Sequence, residues 1–373
     1  MLATSPANVF YVSDYFSTGM QLGCGTQGYA LLPMDHEPAL MAPLVEADLV
    51  AESGTWIKDV HWYGCLNVNS SKNPKASEIT QRIIDATQAH AEQTPCDALV
   101  IAVTNRGMAK KTIAVDGDGV SPWRWETIKR NLPDAKIVDG TRLLEEIRAV
   151  KTQEEVELIQ KATEVTEKSM EDALEIAQAD IMELDLSQMF SYSVAEDGGR
   201  VAQDHIGFGE RSAYPNPTPT THQLAKGDLI RMNLGSTWSH YYGNVARTAA
   251  LGKATPEMEK RFKTVIDAQE AAFDAAKPGA TFGGVYAAIQ RELEKGGVKR
   301  CSMSLGHCIG VECNERPWIG PNDKSIVEEG MVLNIDVPYL DLGWGGIQLE
   351  DTVYVTKKGL RLITNTERTL YLL

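Results

Sequence analysis

The chain has 373 residues, 43% of them hydrophobic and 23% charged, which is length enough for two domains and a sizeable core. A formal net charge of −15 opposes a nucleic-acid backbone or an anionic membrane as partner. No apolar run is long enough to span a bilayer, and the N-terminus lacks the basic-then-apolar pattern of a secretory signal. The six cysteines, Cys24, Cys65, Cys96, Cys301, Cys308 and Cys313, are too sparse for a disulfide scaffold and show no CxxC spacing. They read as reduced thiols of a cytoplasmic protein.

Along the first part of the chain, NVFYVSDY, YALLPM and ALVIAVT read as strands, and EITQRIIDATQAHAEQ as an amphipathic helix between strands. These make a small α/β layer. A long helix follows in KTQEEVELIQKATEVTEKSMEDALEIA. Thr152 with Glu155 forms a capping-box signature, and Val156, Ile159, Ala162, Val165, Met170 and Ala173 lie on one apolar stripe. The domain boundary is placed just before this helix, giving domains 1–147 and 148–373.

In the second part, DLIRMNLGSTW and YYGNVARTAAL read as a strand pair. Thr255 and Pro256 are N-cap and first residue of a helix that stops near Lys277-Pro278-Gly279. Another helix, FGGVYAAIQRELEKGG, ends on paired glycines, and MVLNIDVPYL and GIQLEDTVYVT are again strand-like. Strand pairs and helices in separate blocks indicate α+β with a largely antiparallel sheet.

Several local patterns carry little. Gly23-Cys24-Gly25-Thr26-Gln27-Gly28 matches the dinucleotide fingerprint, but a strand-like segment follows where a helix is required, so it reads as a glycine-rich turn. His307-Cys308 invites a Cys/His nucleophile, but adjacent strand residues point to opposite faces. Cys313 reads as a small buried residue, and Trp123-Arg124-Trp125 as packing. More weight falls on polar residues within strand-like segments: Asn233, Asn244, His307, Asp336 and Glu350. Polar groups buried in a sheet are costly unless paired, so several that converge suggest a site.

The segments holding these residues resemble the pita-bread family of creatinase, aminopeptidase P, prolidase and methionine aminopeptidase. SPANVFYVSDY resembles the opening strand of the family's N-terminal domain, and LLEEIRAVKTQEEVELIQKA its inter-domain helix. GDLIRMNLGSTWSHYYGNVARTAALG, SLGHCIGVECNERP and GMVLNIDVPYLDLGWGGIQLEDTVYVT resemble the three metal-ligand blocks in the family's order. The resemblance implies an α+β chain: a small α/β N-terminal domain, then a pita-bread domain with a curved, largely antiparallel sheet. It also implies that the helix and strand which usually precede SPANVFYVSDY are missing.

The family's metallopeptidases hold two divalent ions on two Asp, one His and two acidic residues. The matching positions here are Asn233, Asn244, His307, Asp336 and Glu350, so both Asp have become Asn. The family's substrate-site histidine falls on Asn216, the second histidine of GHxxGxxxHE on Asn314, and the Arg two residues before the last Glu on Gln348. Two divalent ions bring about +4 of charge, and only two carboxylates remain to balance it. The expectation is therefore a site with no metal and no cofactor. His307, Asp336 and Glu350 are its catalytic group, and Asn216, Asn233, Asn244, Asn314 and Gln348 bind substrate.

On this reading the chain is a creatinase-like, metal-independent hydrolase of a non-peptide C–N bond in a small polar nitrogen-containing metabolite. The alternatives are an inactive pita-bread module that binds a peptide or small ligand, and a residual single-metal Xaa-Pro-type peptidase. Expected partners are a small-molecule substrate and a second copy in a homodimer, with Val60-His61-Trp62-Tyr63-Gly64 as contact candidates. No nucleic acid and no membrane are expected, and the expected location is cytoplasmic.

Overall fold

A computed structural model of the chain describes residues 1–69, 76–299 and 304–373, and Cys301 lies outside them. The chain divides into two compact units, Met1–Leu144 and Glu145–Leu373.

The strands of the first unit are β1 (Leu2–Ala3), β2 (Tyr29–Leu31), β3 (Ala39–Pro43), β4 (Asp59–Tyr63), β5 (Ala91–Glu92), β6 (Thr112–Val115) and β7 (Lys136–Asp139). Among the described residues they form one mixed sheet in the order β5-β4-β3-β2-β1-β6-β7. Two expected strands are helices. NVFYVSDY lies in the helix Pro6–Ser13, where Ser5 accepts a bond from the Asn8 amide, Pro6 opens the first turn and Asp14 closes the helix in the left-handed conformation. ALVIAVT lies in the helix Pro95–Asn105, opened by Pro95 and a reciprocal Thr94–Asp97 capping box. Its buried residues Ala98, Leu99, Ala102 and Val103 follow helical spacing. In both segments cap and proline override the strand preference of the β-branched and aromatic residues. GCGTQG precedes β2 as a turn, with Gly23 and Gly25 at positive φ. Trp62 packs on Leu44, Ala47 and Ala86 within its own unit.

The second unit carries β8 (Arg200–Phe208), β9 (Leu229–Trp238), β10 (Tyr241–Ala250), β11 (Gly306–Cys308), β12 (Glu315–Trp318), β13 (Val332–Asp341), β14 (Gly345–Thr356), β15 (Gly359–Leu362) and β16 (Tyr371–Leu372). Their main path is β12-β11-β13-β14-β10-β9-β8, antiparallel throughout, with β15 on β14 and β16 parallel to β10. The expected α+β class with an antiparallel sheet is the class observed.

Helix Gln153–Glu175 opens on the expected Thr152–Glu155 capping box. Its Val165, Met170 and Ala173 bury against Met232, Leu234, Val245 and Ala249 of β9 and β10. Helices Pro256–Ala275 and Phe282–Lys295 cover Leu333, Ile335 and Val337 of β13 and Ile347, Leu349, Val353 and Val355 of β14. Side chains alternate across a strand, so these contacts fix the faces. The apolar positions meet helices. The residues between them, Arg231 and Asn233, Asn244 and Thr248, Asn334 and Asp336, Gln348 and Glu350, share the opposite face.

Candidate functional site

Register brings this polar face together. Asp336 is the cross-strand partner of Glu350, Glu350 of Ala246, and Ala246 of Asn233. His307 is the partner of Asn334 and so joins the same face, whereas Cys308 opposite Leu333 enters the apolar core. Burial pushes the Cys308 thiol up to about 12, which leaves it a protonated core residue rather than a nucleophile.

A chain of amides ties the site. Asn233 Oδ1 accepts from Gln203 Nε2 at 2.6 Å and from Asn244 Nδ2 at 3.2 Å. The same Asn244 Nδ2 donates to Glu350 Oε1 at 2.7 Å, and Asn334 Nδ2 donates to that oxygen at 2.8 Å. Thr352 Oγ1, 2.7 Å from Asn334 Oδ1, fixes the Asn334 amide with its nitrogen toward Glu350. Gly235 lies opposite Asn244, and a Cβ there would come within 2.7 Å of Asn244 Oδ1, so the amide needs the glycine. Gln203 and Asn334 were not anticipated from sequence. Asn334 stands two residues before Asp336, and strand alternation alone would have placed it on the same face.

His307 is oriented by its own backbone. Nδ1 lies 2.9 Å from the Cys308 carbonyl oxygen. A carbonyl can only accept, so Nδ1 carries a proton, and in the neutral ring the lone pair then sits on Nε2. Nε2 stands 4.0 Å from Glu350 Oε1, too far for a hydrogen bond. Glu350 Oε2 is buried with no hydrogen-bond partner. Gln348 Nε2 donates to Asp336 Oδ1 at 2.8 Å, and Arg231 Nη1 donates to Gln348 Oε1. Burial and the charge of Glu350 hold the Asp336 carboxyl well above the usual range, against the opposing pull of Gln348 and Arg231. Asn216 and Asn314 are exposed and make no hydrogen bond to this cluster.

This donor set does not fit a pair of divalent ions. Asn233 Oδ1 and Glu350 Oε1 each already take two N–H bonds. Among the described residues no three His, Cys, Asp or Glu side chains cluster so as to hold a metal ion. What remains fits one ion at most, with His307 Nε2 and the orphaned oxygens Glu350 Oε2 and Asn244 Oδ1 as the protein donors that would hold it.

The same frame occurs in known proteins. Residues 157–357 match the metallopeptidase family M24, and residues 1–150 match the Creatinase/Prolidase N-terminal domain. The chain belongs to metallopeptidase family M24. It is 33% identical over 246 residues to the Xaa-Pro dipeptidase of Pyrococcus furiosus, covering 65% of this chain and 70% of the relative. It is 25% identical over 369 residues to the putative dipeptidase YkvY of Bacillus subtilis, covering 98% and 93%. The structure of prolidase from Pyrococcus furiosus superposes with a TM-score of 0.78 at 25% identity, over 98% of this chain and 96% of that one. The Xaa-Pro dipeptidase from Bacillus anthracis, at 19% identity and TM-score 0.82 over 100% and 94%, shares the fold. The expected pita-bread fold is therefore the fold found.

The expected function is not. A metal-independent hydrolase of a non-peptide C–N bond is overturned by this kinship with Xaa-Pro dipeptidases in a metallopeptidase family. Asn at positions 233 and 244 alters the charge of the site but leaves its strand frame in place.

Proposed function

We propose that the chain is a residual Xaa-Pro-type peptidase: it hydrolyses small dipeptides at the polar face of β8–β14, with at most one metal ion. The observation that carries this reading is the gap between His307 Nε2 and Glu350. His307 Nε2 stands 4.0 Å from Glu350 Oε1 with no hydrogen bond between them, and Glu350 Oε2 and Asn244 Oδ1 are buried with no hydrogen-bond partner. The naming of relatives as Xaa-Pro dipeptidases supports the substrate class.

His307 Nε2, Glu350 Oε2 and Asn244 Oδ1 are the donors that would hold an ion, which would supply positive charge for polarising a peptide carbonyl. The chain's own residues do the rest. Asn244 and Asn334 clamp Glu350 Oε1, which leaves Oε2 without a hydrogen-bond partner. Asp336, its carboxyl favouring the protonated form, can give a proton to the leaving nitrogen. Gln348, locked by Arg231, holds Asp336 in place for this. The amide clamp on Glu350 also favours a second reading, a module that binds dipeptides without cleaving them.

The experiment is amino-acid release from a panel of Xaa-Pro, Pro-Xaa and Xaa-Ala dipeptides, in chelator and with added Mn²⁺, Co²⁺ or Zn²⁺. Release confined to Xaa-Pro substrates and dependent on added metal is the expected result. Binding without release selects the second reading, and neither binding nor release defeats both.

A further inference from the structure

Strand β12 runs along the edge of the second unit's sheet, beside β11. Its Trp318 is the cross-strand partner of His307, and directly opposed residues of an antiparallel pair point to the same face. The next residue fixes which face that is. Ile319 continues the ladder, bonded through its backbone to Leu305 and Gly306, and its side chain is fully buried in the helix-covered core. Alternation therefore turns Trp318 the other way, onto the polar face that holds His307. There it remains 39% exposed. A large aromatic group left in water beside a candidate site residue is an apolar surface that a ligand can cover.

The ring is braced. The Arg316 guanidinium carbon lies 4.2 Å from the Trp318 ring centroid, and Arg316 Nε stands 3.4 Å from Glu145 Oε1. An aromatic side chain held in this way loses little freedom when something settles on it. Strand order supplies the direction. In β12-β11-β13, Trp318 and Asp336 stand on opposite sides of His307. With the leaving nitrogen of the proline at Asp336, the acyl half of a dipeptide, its N-terminal residue, extends toward Trp318.

We propose that Trp318 is a specificity-determining residue: its indole takes up the side chain of the dipeptide's N-terminal residue and so favours a large apolar, above all aromatic, residue before proline. Arg316 is the positioning residue that holds the ring. This rests on the dipeptide reading above and narrows it on the acyl side. Neither residue is assigned a part in bond breaking.

The test compares proline release from phenylalanyl-proline and from glycyl-proline by the full chain with added Mn²⁺, Co²⁺ or Zn²⁺, for the unmodified protein, Trp318→Thr, Trp318→Phe and Arg316→Ala. The readout is the ratio of the two kcat/KM values. The unmodified protein should favour phenylalanyl-proline about tenfold or more. Trp318→Thr, a strand-compatible change at an edge position, should bring the ratio close to one, chiefly through a raised KM for phenylalanyl-proline. Trp318→Phe should retain most of the preference and Arg316→Ala part of it. A role in the fold alone would slow both substrates alike and keep the ratio. A ratio near one in the unmodified protein, or an unchanged ratio in folded Trp318→Thr, overturns the proposal. Should Trp318→Thr fail to fold, an unchanged ratio in Arg316→Ala overturns it. If neither dipeptide releases proline, the cleavage reading falls, and isothermal titration with the same two dipeptides decides. Tighter binding of phenylalanyl-proline that is lost in Trp318→Thr supports the proposal, and equal or absent binding overturns it as well.

Discussion

Arg231 and Arg247 are both buried almost completely, at 1% and 0% exposure, in adjacent strands of one sheet. They differ in what neutralises them. Arg247 faces the helices, where Nη2 donates to Asp351 Oδ1 at 2.6 Å. Asp351 is held in turn by Gln269 Nε2 and Thr364 Oγ1. Arg231 lies on the opposite, polar face and meets only carbonyls and an amide. A closed ion pair under helices is structural. The other cation is held by neutral carbonyls and an amide alone, with no ion pair among the described residues. Consecutive residues show the same division: Asp351 belongs to the closed pair and Glu350 to the pocket, and strand alternation alone separates them.

The comparison can be broken most severely at the closed pair. Arg247→Met leaves Asp351 buried without its countercharge and should cost about 3–5 kcal/mol, read from the urea midpoint. Removing both partners, as Arg247→Met with Asp351→Leu, should cost less than the sum of the single changes, because the stranded charge is gone. Arg231→Met removes no ion pair. It leaves the Ser212 and Tyr214 carbonyls without a donor, for about 1–3 kcal/mol. If Arg231→Met destabilises as much as Arg247→Met, the two guanidiniums do the same work and the contrast fails.

A pair of buried carboxyls sharpens the point at smaller scale. Burial alone would raise Glu315, but Lys151 Nζ at 2.7 Å and Arg148 Nη2 at 2.6 Å hold it below the usual range. A depressed carboxyl adds stability above its unfolded pKa of about 4.3 and loses it as pH falls through the folded value. The urea midpoint should therefore fall between pH 5 and pH 3, where the unfolded chain takes up the proton before the folded one does. That acid-side loss should be reduced in Glu315→Gln, which starts from lower stability. An identical acid slope in the variant would remove Glu315 from the account. Asp336, with no cation at bonding distance, shifts the opposite way.

Much of this was legible in the sequence. The five strand-borne polar residues, the capping box at Thr152 and the helix opened by Thr255-Pro256 all stand where their patterns place them. The same signals were present but outvoted at Ser5-Pro6 and Thr94-Pro95, where runs such as VFYV and LVIAV drew a strand reading. Gln203 escaped because β8 carries an irregular pairing between Val201 and Gln203 and few apolar residues at its exposed start. Arg231 escaped because a lone cation in a strand gives no hint of whether a carboxylate will meet it. Asn216 and Asn314 rest on motif alignment, and both are exposed. The largest error was chemical: two amides in place of two carboxylates argued against a pair of ions, and that loss of charge was extended into a change of substrate.

The account rests on dipeptide cleavage at His307 and Glu350, and proline release from alanyl-proline measures it directly. With one equivalent of added divalent metal, the unmodified protein should release proline. His307→Gln, folded by circular dichroism and unfolding at a similar urea midpoint, should lose the metal-dependent release, because the nitrogen donor that would hold the ion is gone. Proline release at the same rate by both proteins, or by neither under any metal supplied, would contradict it.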